Sequence, residues 1–146
     1  MVCLHTGWRV EDVLQITTEQ IKCALQAKRC VIKIIEQKTG KKSAKTLPRK
    51  LCEQLHAQAG KIYCFESRDD YRRHRTRQAV YMDIKKASKR FNIKINLSPH
   101  SLRKNYAVYL KNCGKSLTQI QAELNHDNYV TTLLYMMSDE MKQKYK

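Results

Sequence analysis

The run Cys30-Val31-Ile32-Lys33-Ile34-Ile35 constrains this chain more than any other segment. β-Branched side chains crowd the preceding turn of a helix and fit a pleated surface, so the run reads as a strand. The turn segment Lys38-Thr39-Gly40-Lys41 supplies the glycine that a tight reversal needs, and Ala44 to Leu47 returns as a partner strand ending at Pro48. This hairpin makes one small antiparallel sheet. The segments on either side carry helical periodicity, so the expected fold class is α+β, mainly α-helical with one small antiparallel β-sheet.

Before the hairpin, Val10, Val13, Leu14 and Ile16 recur at helical intervals, and Thr17 or Thr18 can cap a second helix with Ile21, Ala24 and Leu25 inward. After it, Arg49 to Ala59 is helical with Leu51 and Leu55 one turn apart, and Gly60 stands where a helix would stop. A short apolar stretch, Ile62 to Phe65, precedes the basic segment 68–77, which lacks core periodicity and reads as a loop or a helix entry. An amphipathic helix should follow, with Val80, Ile84, Ala87 and Phe91 on one face and Lys85, Lys86, Lys89 and Arg90 on others. Ser98-Pro99 is a start signal for a helix running to about Asn112, because Ser can cap exposed amides and Pro fits the first turn. Ser116 can cap another helix carrying Leu117, Ile120 and Leu124, and a last helical stretch holds Thr131 to Met137. With 146 residues, no internal repeat and no Gly/Ser or Pro linker, one domain over 1–146 is expected.

Charge narrows the function. Lys and Arg number 29 against 13 Asp and Glu, a formal net charge of +16, which is expected of proteins that hold polyanions, nucleic acid first among them. The six cysteines, at 3, 23, 30, 52, 64 and 113, form no CxxC pair and no Cys/His cluster of ligand spacing, so they read as reduced thiols without a zinc site or disulfides. No signal peptide or bilayer-length apolar run is visible, and a cytoplasmic protein with no membrane partner is expected.

Taken singly, each polar residue of interest has a plain explanation: Arg9 as a surface charge, Lys38 as a turn lysine, His100 and Arg103 as a solvated helix face, His126 as a satisfied structural histidine, and Tyr135 as core or interface. Their ordered combination says more. Thr6-Gly7-Trp8-Arg9-Val10-Glu11-Asp12, then Lys38-Thr39-Gly40-Lys41, then Ser98-Pro99-His100-Ser101-Leu102-Arg103, then Leu124-Asn125-His126 with Tyr135 nine residues after the histidine, resembles the tyrosine recombinase (phage integrase) family over nearly the whole chain.

That resemblance implies the catalytic domain of a site-specific recombinase, which cleaves and rejoins double-stranded DNA through a 3′-phosphotyrosyl intermediate to integrate or excise a mobile element. Arg9 and Arg103 would neutralise charge on the non-bridging phosphate oxygens, a task suited to guanidinium forks. His100, three residues before Arg103 and on the same helix face, would bond the phosphate or assist deprotonation of the nucleophile. His126 would donate a further hydrogen bond, Lys38 would protonate the leaving 5′ oxygen with Lys41 or Lys42 as competitors, and Tyr135 would be the nucleophile. Asp12 aligns with a supporting acidic position, and Arg72, Arg73, Arg75 and Arg77 are candidate DNA-backbone contacts. No metal or other cofactor is implied.

The resemblance also implies differences from the family pattern. A separate helical core-binding domain usually precedes the catalytic one, which itself starts at least one helix before the position of Met1, so an N-terminally shortened domain is expected, with apolar groups near Val2 and Leu4 exposed. Asn125 stands where the family has glycine, a substitution that left-handed backbone tolerates. Family members assemble as tetramers on two duplexes, and a monomer is expected in isolation. Two other readings are a non-catalytic DNA-binding remnant and a topoisomerase-like relaxing activity.

Overall fold

The computed structural model describes residues 1–125, and the expected helix from Thr131 to Met137 lies outside them. In chain order the elements are α1 (Val2–Thr6), α2 (Val10–Leu14), α3 (Thr18–Gln26), β1 (Val31–Ile35), β2 (Lys42–Thr46), α4 (Arg49–Gln58), α5 (Arg77–Arg90), α6 (Pro99–Asn112) and α7 (Leu117–Glu123).

The hairpin forms as its sequence requires. β1 and β2 pair antiparallel from Val31↔Thr46 to Ile35↔Lys42, and Gly40 takes the left-handed φ of 65° in the turn. Side chains alternate across a strand, so Ile32 and Ile34 point into the core while Val31, Lys33 and Ile35 face outward. The buried phase runs one step past the strand, to Glu36.

Three helix starts carry the caps read from the sequence. The Thr17 hydroxyl accepts the Gln20 backbone N–H and the Gln20 side chain accepts the Thr17 N–H; Ser98 and Ser101, and Ser116 and Gln119, repeat the exchange. Each such cap contributes about 1 kcal/mol by satisfying amides that the helix itself cannot. The stretch Ile62 to Phe65 pairs with the entry to α3, through Thr18 N–H to Ile62 O and Cys64 N–H to Ile16 O. Residues 68–76 form the expected loop, and Arg77 opens α5 behind a Thr76 cap.

Two expectations fail. Val2 is buried and Leu4 only partly exposed, because Val2 joins the cluster that holds Leu51 and Leu55, with Phe65 packed against it, and α1 packs along α6. The α5 face is the second: Phe91 is 72% exposed and Ala87 is exposed, while Ser88 alone is buried on this helix. Among the described elements α5 packs mainly on α6, too narrow a contact to cover a whole apolar stripe.

The apolar interior divides into two clusters. One gathers Trp8, Ile16, Ile21, Ile32, Leu51 and Leu55 from α1 through α4 and the hairpin; the other gathers Tyr106, Ala107, Leu110, Ile120 and Leu124 from α6 and α7. Burial pushes the thiols of Cys3 and Cys64 up to about 11, so they serve as small apolar side chains. Gly7 joins the clusters. Its φ is 70°, and a Cβ there would lie 2.3 Å from Tyr106 Cδ1 and 2.8 Å from Leu124 Cδ2, so only glycine lets α6 and the end of α7 approach the 6–9 backbone this closely. Among the described residues no helix is long and apolar enough to cross a membrane.

Candidate active site

The seam between the two clusters is where four of the sequence-predicted residues, Arg9, Asp12, His100 and Arg103, lie. Arg103 projects from α6 into it and is only 3% exposed. Its Nη1 donates to Gly7 O at 2.7 Å and its Nη2 donates to Leu124 O. A buried guanidinium is tolerable when its N–H groups are matched, and these two bonds fix the plane of the fork against one carbonyl from each side of the seam.

Arg9 enters from the opposite wall. The left-handed Gly7 turns the chain out of α1, and Arg9 stands at the N-cap of α2. Its Nη1 meets Glu36 Oε2 at 2.7 Å, with the guanidinium side chain one-fifth exposed. Asp12, one turn into α2, is buried, and its Oδ1 accepts the Gln37 N–H at 2.9 Å. Asp12 thus ties α2 to the residues that follow β1. Burial raises its carboxyl pKa, Glu36 adds to the rise, and the Gln37 amide, Arg9 and Arg103 oppose it.

His100 lies one turn before Arg103 at the exposed edge of the seam. Partial withdrawal from water lowers its pKa below the ordinary 6.5, and the guanidinium charges of Arg103, Arg9 and Arg77 lower it further. Three cations from three segments therefore act on one imidazole, which holds it neutral near pH 7. Because the folded pKa lies below the unfolded one, the unfolded chain takes up the proton first, and stability attributable to this group is lost as pH falls through that window. An anion placed among the three guanidinium groups reverses the effect. Accordingly, the His100 ring titration followed by NMR should have a midpoint below 6.5 in the free protein, and that midpoint should rise when duplex DNA is added at low salt. A midpoint indifferent to DNA would mean that His100 does not face the phosphate.

The remaining predicted residues are placed less centrally. Lys38 is exposed in the hairpin turn, Lys41 is exposed on its return arm, and Lys42 opens β2. The four candidate DNA-contacting arginines, three in the loop and Arg77 at the start of α5, each engage a carboxylate: Arg72 and Arg73 with Asp70, Arg75 with Asp83, and Arg77 with Glu11. Arg75 is the most enclosed of the four, whereas Arg77 stands beside the seam, where its charge reaches His100. His126 and Tyr135 lie outside the described residues.

Sequence reasoning missed Glu36. Its carboxylate is 2% exposed and accepts from Arg9, from Thr39 Oγ1 and from Asn125 Nδ2. A signal was present, since an acidic residue in phase with Ile32 and Ile34 has to enter the buried side of the hairpin. Asn125 adopts the left-handed conformation its position asks for, with φ 48°.

Comparison with known proteins identifies the family and the fold. The model of the phage integrase family matches residues 1–142. A tyrosine recombinase of Thermosipho africanus is 35% identical over 83 residues, 56% of this chain and 28% of that protein. The tyrosine recombinase XerD of Staphylococcus aureus is 40% identical over 60 residues, 41% of this chain and 20% of that protein. The chain thus spans less than a third of the length of these curated relatives. A crystal structure of XerA recombinase superposes on 99% of this chain and 54% of its own length, with a TM-score of 0.70 and 20% identity. The catalytic domain of bacteriophage HP1 integrase covers 93% of this chain and 70% of its own, with a TM-score of 0.61 and 19% identity. At these identities the two structures establish the common fold.

Proposed function

This chain belongs to the phage integrase family, and we propose that residues 1–146 form a catalytic domain that cleaves and rejoins double-stranded DNA as a tyrosine-type site-specific recombinase, for integration or excision of a mobile element. The observation that carries this reading is that Arg103 bonds the Gly7 carbonyl, two residues before Arg9 and more than 90 residues away in sequence, with His100 one turn before Arg103 and within reach of both guanidinium charges.

In the proposed reaction the phenol oxygen of Tyr135 attacks the scissile phosphorus and the bond to the 5′ oxygen breaks. The phenol proton leaves with the assistance of neutral His100, and the departing 5′ oxygen takes a proton from the hairpin lysine, Lys38. Arg9 and Arg103, with His126, stabilise charge on the non-bridging oxygens, where each well-placed donor contributes about 3–4 kcal/mol to the transition state. The phosphotyrosine retains the energy of the bond it replaced, so attack by another 5′ hydroxyl reverses the step without a nucleotide or a metal. Arg72, Arg73, Arg75 and Arg77 would contact the DNA backbone, each by exchanging a carboxylate for a phosphate. A synaptic tetramer on two duplexes, a monomer when free of DNA, and a cytoplasmic location complete the proposal.

The test is covalent trapping. The protein is incubated in EDTA with labelled, nicked duplexes that include DNA flanking its gene, then denatured and resolved on a gel. A protein–DNA adduct is expected; salt-sensitive binding with no adduct on any duplex would instead support a non-catalytic DNA-binding role.

Substitution of the hairpin lysine should have a separable effect. Lys38→Ala should slow cleavage of an ordinary phosphodiester by about 100-fold, the scale of general-acid assistance, while a 5′-bridging phosphorothiolate, whose sulfur departs without a proton, should be cut at close to the normal rate. Lack of recovery on the sulfur substrate would move the acid to Lys41 or Lys42.

A further inference from the structure

Glu36 has no part in the chemistry above, yet its side chain touches three of the segments that carry it. One oxygen, Oε2, accepts from Arg9 Nη1 at 2.7 Å and from Thr39 Oγ1 at 3.2 Å; the other, Oε1, accepts from Asn125 Nδ2 at 2.6 Å. Its backbone belongs to the same device. The Glu36 N–H donates to Lys41 O at 3.0 Å and its carbonyl accepts the Gly40 N–H at 2.8 Å, closing the turn that contains Lys38. The next amide, that of Gln37, is held by Asp12.

Burying a carboxylate is costly unless its lone pairs are matched, and here both oxygens are matched by groups from three stretches of chain. The partners are also specific in kind. Arg9 is one of the two phosphate-binding guanidinium groups, Thr39 adjoins Lys38, and Asn125 is bonded directly to His126. Asn125 replaces the glycine of the family pattern, and glycine has no side chain with which to reach Glu36, so this third arm is a property of the present chain.

We propose that Glu36 is a positioning residue for DNA cleavage: one buried carboxylate sets the spacing between the phosphate-binding Arg9, the turn that carries the general acid Lys38, and the Asn125-His126 step. The inference rests on the function proposed above. A shared anchor matters because proton delivery to the leaving oxygen and charge neutralisation at the phosphate have to reach the same phosphorus together, and a displacement of about 1 Å costs about 100-fold in rate.

The test compares the wild-type chain with Glu36→Gln and Asn125→Gly under single-turnover conditions, on phosphodiester and 5′-bridging phosphorothiolate nicked duplexes. Glu36→Gln keeps volume and hydrogen-bonding capacity, because the Asn125 amide can turn to accept from the new NH2 group. Asn125→Gly removes one arm and keeps the left-handed backbone that this position needs. Glu36→Gln should cut the phosphodiester at least about tenfold more slowly at saturating protein, with DNA affinity within about twofold, since misplacement reduces the rate rather than the binding. Part of that loss should return on the phosphorothiolate, the part due to Lys38. Asn125→Gly should lose less, and the double variant should lose less than the product of the two single effects, because both disrupt one network.

Wild-type cleavage of the phosphodiester by Glu36→Gln overturns the positioning role. So does a loss that the phosphorothiolate leaves unchanged and that follows a parallel fall in melting temperature, since that describes a structural carboxylate only. If the wild-type chain forms no adduct while Glu36→Gln is equally inactive, the proposed function fails and this inference with it; an adduct from the wild type combined with an unimpaired Glu36→Gln removes this inference alone.

Discussion

Tyr135→Phe should leave no detectable covalent protein–DNA adduct while binding duplex DNA about as tightly as the wild type does. Loss of the phenol oxygen removes the atom proposed to attack phosphorus, and no positioned donor can substitute for a missing nucleophile. The ring, the remainder of the chain and its charge of +16 are unchanged, so the salt-dependent attraction for the phosphate backbone persists. Gel-shift titration beside the trapping assay separates the two quantities. An adduct that survives the substitution would assign the nucleophile to another residue, and mapping the DNA-linked peptide would identify it.

Arg103→Ala should have an effect nearly as large, and of a different kind. Arg103 satisfies the carbonyls of Gly7 and Leu124 from inside the seam, and each acceptor left without a partner costs about 1–3 kcal/mol, or roughly 2–6 kcal/mol for the pair. Against a total stability of about 5–15 kcal/mol for a domain, that is a substantial fraction. The urea midpoint should fall markedly and the adduct should disappear. Arg103→Lys separates the two causes. A single ammonium keeps the charge and can satisfy one carbonyl, but it cannot span both while presenting a fork to phosphate. It should therefore recover part of the stability with adduct formation still at least about 100-fold down. Cleavage by Arg103→Lys within a few-fold of wild type would show that its guanidinium geometry is dispensable.

What the sequence revealed follows from how local each signal is. The hairpin was legible because a β-branched run, a turn glycine and a returning strand lie within 18 residues, and the starts of α3, α6 and α7 were legible because Thr17, Ser98 and Ser116 cap amides three positions away. The helix α1 escaped because five residues are too few to display a period, and its burial depends on the cluster that includes Leu51 and Leu55 and on α6, far along the chain. The apolar stripe of α5 shows the converse: periodicity reports which face could be buried, and tertiary packing decides how much of it is.

The site divides in the same way. Arg9, His100 and Arg103 stood out through residue type and order, which chemistry constrains. The burial of Arg103 did not, because its carbonyl partners come from positions 7 and 124, and backbone acceptors leave no trace in residue type. Glu36 occupied a readable phase of β1, but its three partners lie at 9, 39 and 125, and their number is what distinguishes an anchor from a stray buried acid.

The seam has a consequence for when the proposed cleavage site is assembled. Arg103 bridges carbonyls that are 96 residues and 21 residues away from it in sequence, and Glu36 is joined to Asn125 across 89. The buried members of the first cluster lie between residues 2 and 64, with Leu102 of α6 packed against them, and α6 must close a loop of roughly a hundred residues before its arginine reaches Gly7. The proposed site is therefore completed by the most distant contacts and is lost at the first separation of the two clusters. A chain loosened by heat or mutation keeps its charge of +16 and should, on the function proposed here, still attract DNA while lacking an assembled site to break it.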